Sequence, residues 1–240
     1  AIWFNPLSPS PNADFGYDIS DYCDIHPDYG DLDQFKKVLD KAHELGMKVI
    51  MDLVINHTSD EHKWFKESRK GKDNPYSDYY IWRDKPNNWD SIIEGTAWEY
   101  DKMRGQYYLH TFAVGQTDLN WENPAVVKAM QDVVDFWVDK GCDGFRIDVI
   151  DCISKDLPND RNGLGPRLHE YIRALFGREK TAHLFTVGEG HTNEIDDIVL
   201  HCAHDRNELS TLFIFDHMEC GRSDKFTPKD EGLRALRDIA

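Results

Sequence analysis

The sequence predicts an α/β fold in which parallel strands alternate with helices. Short apolar runs, often rich in β-branched residues, alternate with longer segments whose apolar residues recur at helical spacing. Some of these short runs are apolar on both sides, as expected for strands that helices cover on both faces. Strands that alternate with helices in this way are joined by right-handed crossovers and lie parallel in one sheet.

The first part of the chain supplies two strands and a helix. The opening apolar run 1–5 ends at Pro6 and predicts a buried strand. Apolar residues from Asp31 to Leu45 share one helical face, and Gly46 follows where a helix commonly ends. The run 48–55 is β-branched and apolar on both faces, which predicts a strand inside the sheet.

The second part of the chain continues the alternation. A helix begins at Asn123 and Pro124, a residue pair typical of an N-cap followed by the first helical position, and ends at Gly141. The remaining predicted elements are strands 144–150, 183–188 and 211–215 and helices 166–176, 194–203 and one that ends at Ala240. The series therefore contains five strands.

One segment, residues 58–116, interrupts the series. It is rich in Trp, Tyr, Asp, Asn and Lys. A structureless connection of this length is rare in a compact domain, so we expect an inserted subdomain beside a binding cleft. The chain is thus divided into segments 1–57, 58–116 and 117–240. Tryptophans of the insert could stack on sugar rings, but we expect most of them to form local core: Trp64, Trp82, Trp89 and Trp98.

Composition and charge disfavour several classes of protein. The formal net charge is −16, which argues against a nucleic-acid or anionic-membrane partner, because both need basic patches. No apolar run is long enough to span a bilayer, and the chain opens directly on a predicted strand, as in a piece of a longer protein. No feature predicts an oligomeric state. Five scattered cysteines without CxxC spacing predict neither a disulfide framework nor a zinc site and favour the cytoplasm: Cys23, Cys142, Cys152, Cys202 and Cys220.

Polar side chains that strand interiors do not explain lie near the ends of the first four predicted strands. In parallel α/β folds the functional groups gather at the carboxyl ends of strands, so these side chains should share one edge of the sheet. In chain order they are Asp14, Tyr17, Asp52, His57, Arg146, Asp148 and Glu189.

Asp148 and Glu189 form a candidate carboxylate pair. Strand alternation places Arg146 beside Asp148, and the arginine should lower the pKa of that carboxyl, as a nucleophile requires. Glu189 follows an apolar strand, a setting that favours the protonated form needed by a general acid. The alternatives are a buried Arg–Asp pair that only stabilises the sheet and a glutamate that caps the next helix. Carboxyls on neighbouring strand ends can lie roughly 5 Å apart, the separation of a retaining glycosidase.

A metal-dependent hydrolase site is the rival interpretation of the same residues. Its ligands would be Asp52, His57, Asp148 and Glu189. No HxH, HExxH or other tight ligand spacing supports it, so we expect neither a metal nor another cofactor.

Five segments of the chain resemble signatures of the α-amylase superfamily, glycoside hydrolase family 13. They are Asp14-Phe-Gly-Tyr17-Asp18-Ile-Ser-Asp21-Tyr22, Asp52-Leu-Val-Ile-Asn-His57, Gln116-Thr-Asp118-Leu-Asn120-Trp121, Gly144-Phe-Arg-Ile-Asp148 and Val187-Gly-Glu189. The resemblance covers essentially the whole chain and is strongest to the oligo-1,6-glucosidase and dextran glucosidase branch. It implies an oligosaccharide substrate.

The resemblance also implies residue roles. Asp148 would be the nucleophile of a retaining α-glucosidase, Glu189 the acid/base, and Arg146 the residue that orients Asp148. The remaining positions would bind the terminal glucose: His57 and Asp14 on its hydroxyls, Tyr17 beneath its ring, and Phe112 and Gln116 at the border of the site.

Val149 bears on the choice of linkage. Members of the family that cleave α-1,6 linkages carry valine directly after the nucleophile, so the resemblance implies isomaltose-like substrates. Relatives with Val-Ile at this place include trehalose-6-phosphate hydrolases and sucrose isomerases, which remain alternatives.

The sequence also departs from the family pattern. The family fold is an eight-stranded (β/α)8 TIM barrel, and the five strands here resemble its second to sixth, with the inserted subdomain after the third. The first strand with its calcium site, the last two strands, the Asn-His-Asp signature and the C-terminal β domain have no counterpart. His217 is not that signature, and Gly190-His191-Thr192 departs from the commoner pattern. A non-catalytic, sugar-binding fragment is therefore a second hypothesis.

Overall fold

The computed structural model describes residues 1–190, 192 and 195–215. Its strands are β1 (Ile2–Phe4), β2 (Val49–Val54), β3 (His57–Ser59), β4 (Trp82–Arg83), β5 (Trp98–Asp101), β6 (Gln106–Leu109), β7 (Gln116–Asp118), β8 (Gly144–Asp148), β9 (Phe185–Gly188) and β10 (Thr211–Leu212). Its helices are α1 (Leu32–Glu44), α2 (Lys63–Ser68), α3 (Pro124–Lys140), α4 (Leu168–Phe176) and α5 (Ile195–Cys202).

Five strands form one parallel sheet in the order β1-β2-β8-β9-β10. Each is hydrogen-bonded in parallel to its neighbour. Helices α1, α3, α4 and α5 connect successive strands of this sheet, so the predicted parallel α/β fold is confirmed.

Local capping signals explain why α1 and α3 begin and end where they do. Asp31 accepts a hydrogen bond from the Gln34 backbone N–H, and the Gln34 side chain accepts one from the Asp31 N–H, which completes a capping box. Asn123 caps α3 at the Ala125 N–H, and Gly141 ends that helix with a left-handed φ of 106°. Both helices match their predicted bounds within two residues.

The strand that carries Asp148 is shorter than predicted. We expected it to continue through Val149 to residue 150, but β8 ends at Asp148. Val149 has φ 36° and ψ 52°, a left-handed conformation that β-branched residues rarely adopt, and a short 3-10 helix follows at Ile150–Ile153. Val149 therefore turns the chain sharply at the end of the strand instead of extending it.

Residues between β2 and α3 form two small antiparallel sheets. Strands β3 and β7 pair with each other, and β4, β6 and β5 form a three-stranded sheet. The four tryptophans of segment 58–116 are all buried, which confirms the prediction that most of them are core residues. Trp89 and Trp98 belong to a small core of their own, separate from the main core, together with Ile81, Ala97 and Leu109.

The two faces of the parallel sheet differ in chemistry. Phe145 and Ile147 are fully buried, and the centroid of the Phe145 ring lies 6.4 Å from that of Phe176 in α4. Arg146 and Asp148 alternate with them and point to the opposite face. The helical layer thus fixes the strand, while its other face presents charged groups.

Some predicted features lie outside the described residues: the last helix to Ala240, His217, Cys220 and His191. The four cysteines that are described are free thiols. None of the helices in the described part of the chain combines the length and apolar character needed to cross a membrane.

Candidate active site

Arg146 joins three carboxylates at the centre of the site. Its Nη1 donates to Asp148 Oδ1 at 2.7 Å and to Asp52 Oδ1 at 3.1 Å, and its Nη2 donates to Glu189 Oε2 at 2.6 Å. The arginine side chain is only 8% exposed. One buried guanidinium therefore positions carboxylates from three neighbouring strands.

Strand register explains why these residues meet. Asp52 on β2 pairs with Arg146 on β8, and Arg146 pairs in turn with Val187 on β9. Glu189 lies two residues beyond Val187, level with Asp148, so all four charged side chains project from the same face at the carboxyl end of the sheet. The sequence-based prediction that they share one edge agrees with this placement.

Asp52 is held by aromatic donors as well as by Arg146. Its Oδ2 accepts hydrogen bonds from the Tyr17 hydroxyl at 3.1 Å and from the Trp3 indole N–H at 3.3 Å. Burial raises the pKa of Asp52 to about 6, although Arg146 opposes the shift. Asp52 lies within β2 rather than at its end, and nothing in the sequence indicates that Trp3 contacts it.

The predicted electrostatics of Asp148 are wrong. We expected Arg146 to lower its pKa, but burial raises the pKa of Asp148 well above its ordinary value. Arg146 opposes this rise, while the negative charges of Glu189 and Asp52 add to it. The sequence shows that Arg146 lies beside Asp148, but it does not show how deeply the Asp148 carboxyl is buried.

Glu189 is positioned by both side-chain and backbone contacts. Besides Arg146, the Val149 backbone N–H donates to Glu189 Oε2 at 3.2 Å. The Glu189 N–H donates to the Ile147 carbonyl, and the Ile150 N–H donates to the Glu189 carbonyl. The left-handed turn at Val149 thus directs a backbone donor at the carboxylate that follows β9.

A second group of predicted residues surrounds the Tyr17 carbonyl. His57 Nε2 lies 2.9 Å and Gln116 Nε2 lies 3.1 Å from that oxygen, and Gln116 also donates to Asp14 Oδ2 at 2.9 Å. The Phe112 ring packs 5.3 Å from the His57 ring. Because the Tyr17 hydroxyl contacts Asp52, this tyrosine joins the two groups.

The structure brings together the nine predicted site residues, but one of them, Val149, takes part through its backbone and not its side chain. The side chain of Val149 is buried, with a residue exposure of 6%, and it is the backbone of this residue that contacts another member of the site. His57 is 1% exposed and its ring nitrogens already contact protein groups, so its approach to a sugar hydroxyl remains a prediction.

The rival metal site gains no geometric support. Asp52, Asp148 and Glu189 surround the Arg146 guanidinium, whereas His57 contacts Tyr17 and Asn56 instead. Within residues 1–190, 192 and 195–215, no cluster of three or more His, Cys, Asp or Glu side chains is arranged to hold a metal ion.

Two carboxyls held close together at the carboxyl edge of a parallel α/β sheet are the groups that glycoside hydrolysis uses. The chain belongs to the alpha-amylase family, since residues 1–235 match the family model of the alpha-amylase catalytic domain.

Individual members of this family match most of the chain. The chain is 47% identical over 240 residues to an oligo-1,6-glucosidase from Parageobacillus thermoglucosidasius, covering 91% of this chain and 42% of the relative. It is 49% identical over 224 residues to a glucan 1,6-alpha-glucosidase from Streptococcus dysgalactiae subsp. equisimilis, covering 91% and 41%. The crystal structure of a trehalose-6-phosphate hydrolase from Bacillus licheniformis superposes with a TM-score of 0.91 at 43% identity, covering 99% of this chain and 46% of that one. The chain thus spans less than half the length of each of these relatives.

Proposed function

We propose that the chain carries the nucleophile and acid/base of a retaining α-glucosidase that hydrolyses terminal α-1,6 linkages of isomalto-oligosaccharides or dextran ends. The observation that supports this most strongly is the contact of Asp148 and Glu189 with the two terminal nitrogens of Arg146, at 2.7 and 2.6 Å. One guanidinium holds both carboxyls close together, as the short separation of a retaining glycosidase requires.

The chemistry proceeds by double displacement. Glu189 gives a proton to the glycosidic oxygen while an Asp148 oxygen attacks the anomeric carbon, so the glycosidic bond breaks and a β-glucosyl ester forms. Glu189 then takes a proton from water, whose oxygen attacks the same carbon and releases Asp148 with glucose of retained configuration. Asp14, Tyr17, His57, Phe112 and Gln116 bind the glucose unit. The two steps need neither a metal nor a cofactor.

The proposed architecture is a segment of an eight-stranded (β/α)8 barrel. Strands β1, β2, β8, β9 and β10 would be its second to sixth strands. Segments 1–57 and 117–240 belong to the barrel, and 58–116 is the subdomain inserted after the third barrel strand. The parallel order of the sheet and the separate small core around Trp89 support this division.

Linkage preference distinguishes the proposal from its alternatives. Val149 supports α-1,6 cleavage, as do the relatives named oligo-1,6-glucosidase and glucan 1,6-alpha-glucosidase. Trehalose-6-phosphate hydrolysis remains an alternative because a structural relative is named trehalose-6-phosphate hydrolase. Sucrose isomerisation is a second alternative. Initial rates on isomaltose, maltose, trehalose 6-phosphate and sucrose separate them, and preference for any substrate other than isomaltose contradicts the α-1,6 assignment.

Covalent labelling tests the nucleophile without requiring complete turnover. In 5-fluoro-α-D-glucosyl fluoride the anomeric fluoride leaves when a carboxylate attacks, and the fluorinated ester then hydrolyses slowly. Mass mapping of the labelled 240-residue chain should find the sugar on Asp148. Asp148→Asn should abolish the label, whereas Asp135→Asn, which removes a partly exposed ion pair with Arg178, should leave it unchanged.

Two results would contradict the proposal. A label on another residue excludes Asp148 as the nucleophile. Binding of isomaltose by the folded chain with neither label nor turnover supports the second hypothesis, a non-catalytic sugar-binding piece. Robust turnover by the 240-residue chain excludes that hypothesis.

A further inference from the structure

A buried lysine lies behind His57. Lys155, whose side chain is 4% exposed, donates to Asp118 Oδ2 at 2.8 Å, to Asn56 Oδ1 at 2.8 Å and to the Cys152 carbonyl at 2.6 Å. Asp118 is fully buried and also accepts hydrogen bonds from the Thr111 N–H and hydroxyl. Three acceptors for three ammonium hydrogens make this a fully satisfied buried ion pair.

The lysine determines which way the Asn56 amide faces. An ammonium group donates only, so the amide oxygen of Asn56 must face Lys155. The amide nitrogen then faces His57 Nδ1 at 3.1 Å. Since an amide N–H can only donate, Nδ1 must accept, and the proton of neutral His57 is on Nε2.

The carbonyl on the other side of the imidazole ring favours the same tautomer. Nε2 lies 2.9 Å from the Tyr17 carbonyl oxygen, which only accepts. The Gln116 amide nitrogen lies 2.9 Å from Asp14 Oδ2, 3.1 Å from the Tyr17 oxygen and 3.1 Å from His57 Nε2. Its two hydrogens satisfy the two oxygens when Nε2 carries the proton. With the proton on Nδ1 instead, Nε2 could accept only from Gln116, while its lone pair would face that of the Tyr17 carbonyl and the Nδ1 proton would face the Asn56 N–H.

We propose that Lys155 is a positioning residue that acts through Asn56 to hold His57 as the Nε2–H tautomer, and that His57 thereby holds the Tyr17 carbonyl in place. Tyr17 is then fixed at both ends, because its hydroxyl donates to Asp52 at 3.1 Å. The value of this arrangement for sugar binding rests on the proposed function, in which the Tyr17 ring lies beneath glucose.

The charges around His57 agree with a neutral ring. Burial is the largest effect and lowers the pKa of His57, and the positive charge of Lys155 lowers it further. Asp118, opposite His57 on β7, and Asp14, on the loop after β1, oppose this shift together with the hydrogen bond to Tyr17. The ring of the unaltered chain is therefore neutral, and its hydrogen-bond partners determine which nitrogen carries the proton.

Nitrogen-15 NMR of the histidine-labelled 240-residue chain tests the proposal, because protonated and unprotonated ring nitrogens have distinct shifts. In the unaltered chain His57 should show a protonated Nε2 and an unprotonated Nδ1. Lys155→Met combined with Asp118→Asn removes both buried charges, so no carboxylate is left unpaired, and should give a mixture of tautomers. Asn56→Asp keeps Lys155 paired but turns an acceptor towards Nδ1, so that ring should gain a second proton and titrate at higher pH.

Two controls separate this effect from general disturbance of the fold. His62 Nδ1 accepts from the Trp64 backbone N–H at 3.1 Å, so its shifts should stay constant in every variant. Lys180→Met removes an exposed lysine paired with Asp139 and should leave the His57 spectrum unchanged.

The proposal is overturned by an Nδ1–H tautomer in the unaltered chain, or by a His57 spectrum that neither Lys155→Met/Asp118→Asn nor Asn56→Asp alters. The spectrum of the unaltered chain decides the first point even if a variant does not fold. None of these measurements involves turnover or sugar, so failure of the proposed function leaves them interpretable.

Discussion

Arg146→Met replaces a buried guanidinium by an apolar side chain of similar length and leaves three carboxylates without their shared partner. Asp52 and Asp148 have side-chain exposures of 0% and 9%, so water replaces little of what is lost. Removing one partner of a buried ion pair costs about 3–5 kcal/mol. We expect a loss at the upper end of this range near neutral pH, because one cation serves three anions.

The cost of Arg146→Met should depend on pH in a defined direction. Burial already raises the pKa of Asp52 to about 6 with Arg146 present, and loss of the guanidinium raises it further. A carboxyl whose folded pKa lies above its unfolded value stabilises the fold at low pH, and this contribution is lost as pH rises through the folded pKa. The deficit should therefore be smaller at about pH 5 than at about pH 8.

Urea unfolding of the two chains at both pH values measures this effect. Arg167→Met is the matched control, since Arg167 pairs with Glu122 and Glu170 on the surface, where exposures range from 39% to 58%. Exposed pairs contribute at most about 1 kcal/mol, so the control should change little. A deficit below about 1 kcal/mol for Arg146→Met, or one that grows as pH falls, refutes the electrostatic argument.

Two further substitutions test other parts of the fold. Burial lowers the pKa of His62 to about 3, so the free energy of unfolding should fall by up to about 1.4 kcal/mol per pH unit as pH drops below about 6.5. His62→Asn keeps a cap for the Trp64 N–H and should flatten this dependence in urea titrations. In Gly144→Ala the new Cβ would lie 1.9 Å from the Phe185 carbonyl oxygen, so thermal unfolding should show a loss of stability of about 3 kcal/mol or more. The control Gly115→Ala, where the nearest atom is 3.7 Å away, should lose about 0.5 kcal/mol or less. Equal losses would contradict the steric explanation.

Local chemistry explains what the sequence predicted well. The ends of α1 and α3 depend on residues next to them in the chain, such as Asp31, Asn123 and Gly141. Short continuous apolar runs identified the strands, because strands that are buried on both faces contain few polar residues. The end of β8 was missed because the turn depends on Val149 in a left-handed conformation, for which valine is no signal.

Long-range contacts explain what the sequence did not predict. The distance in sequence from Asn56 to Lys155 is 99 residues, and from Trp3 to Asp52 it is 49. Nothing in the neighbourhood of either residue indicates its partner. The raised pKa of Asp148 likewise arises chiefly from burial, which the sequence does not reveal, with the carboxylates on β2 and after β9 adding to it.

The excess of negative charge around Arg146 connects the electrostatics of the site to the proposed chemistry. Three carboxyls share one guanidinium. Burial raises the pKa of Asp52 and Asp148, and for Asp148 the negative charges of Glu189 and Asp52 add to the rise. In the proposed mechanism the proton for the leaving oxygen is on Glu189, which shares Arg146 with Asp148. When Glu189 gives up this proton, its new negative charge lies near the positive charge that develops on the sugar ring, and their attraction stabilises the transition state.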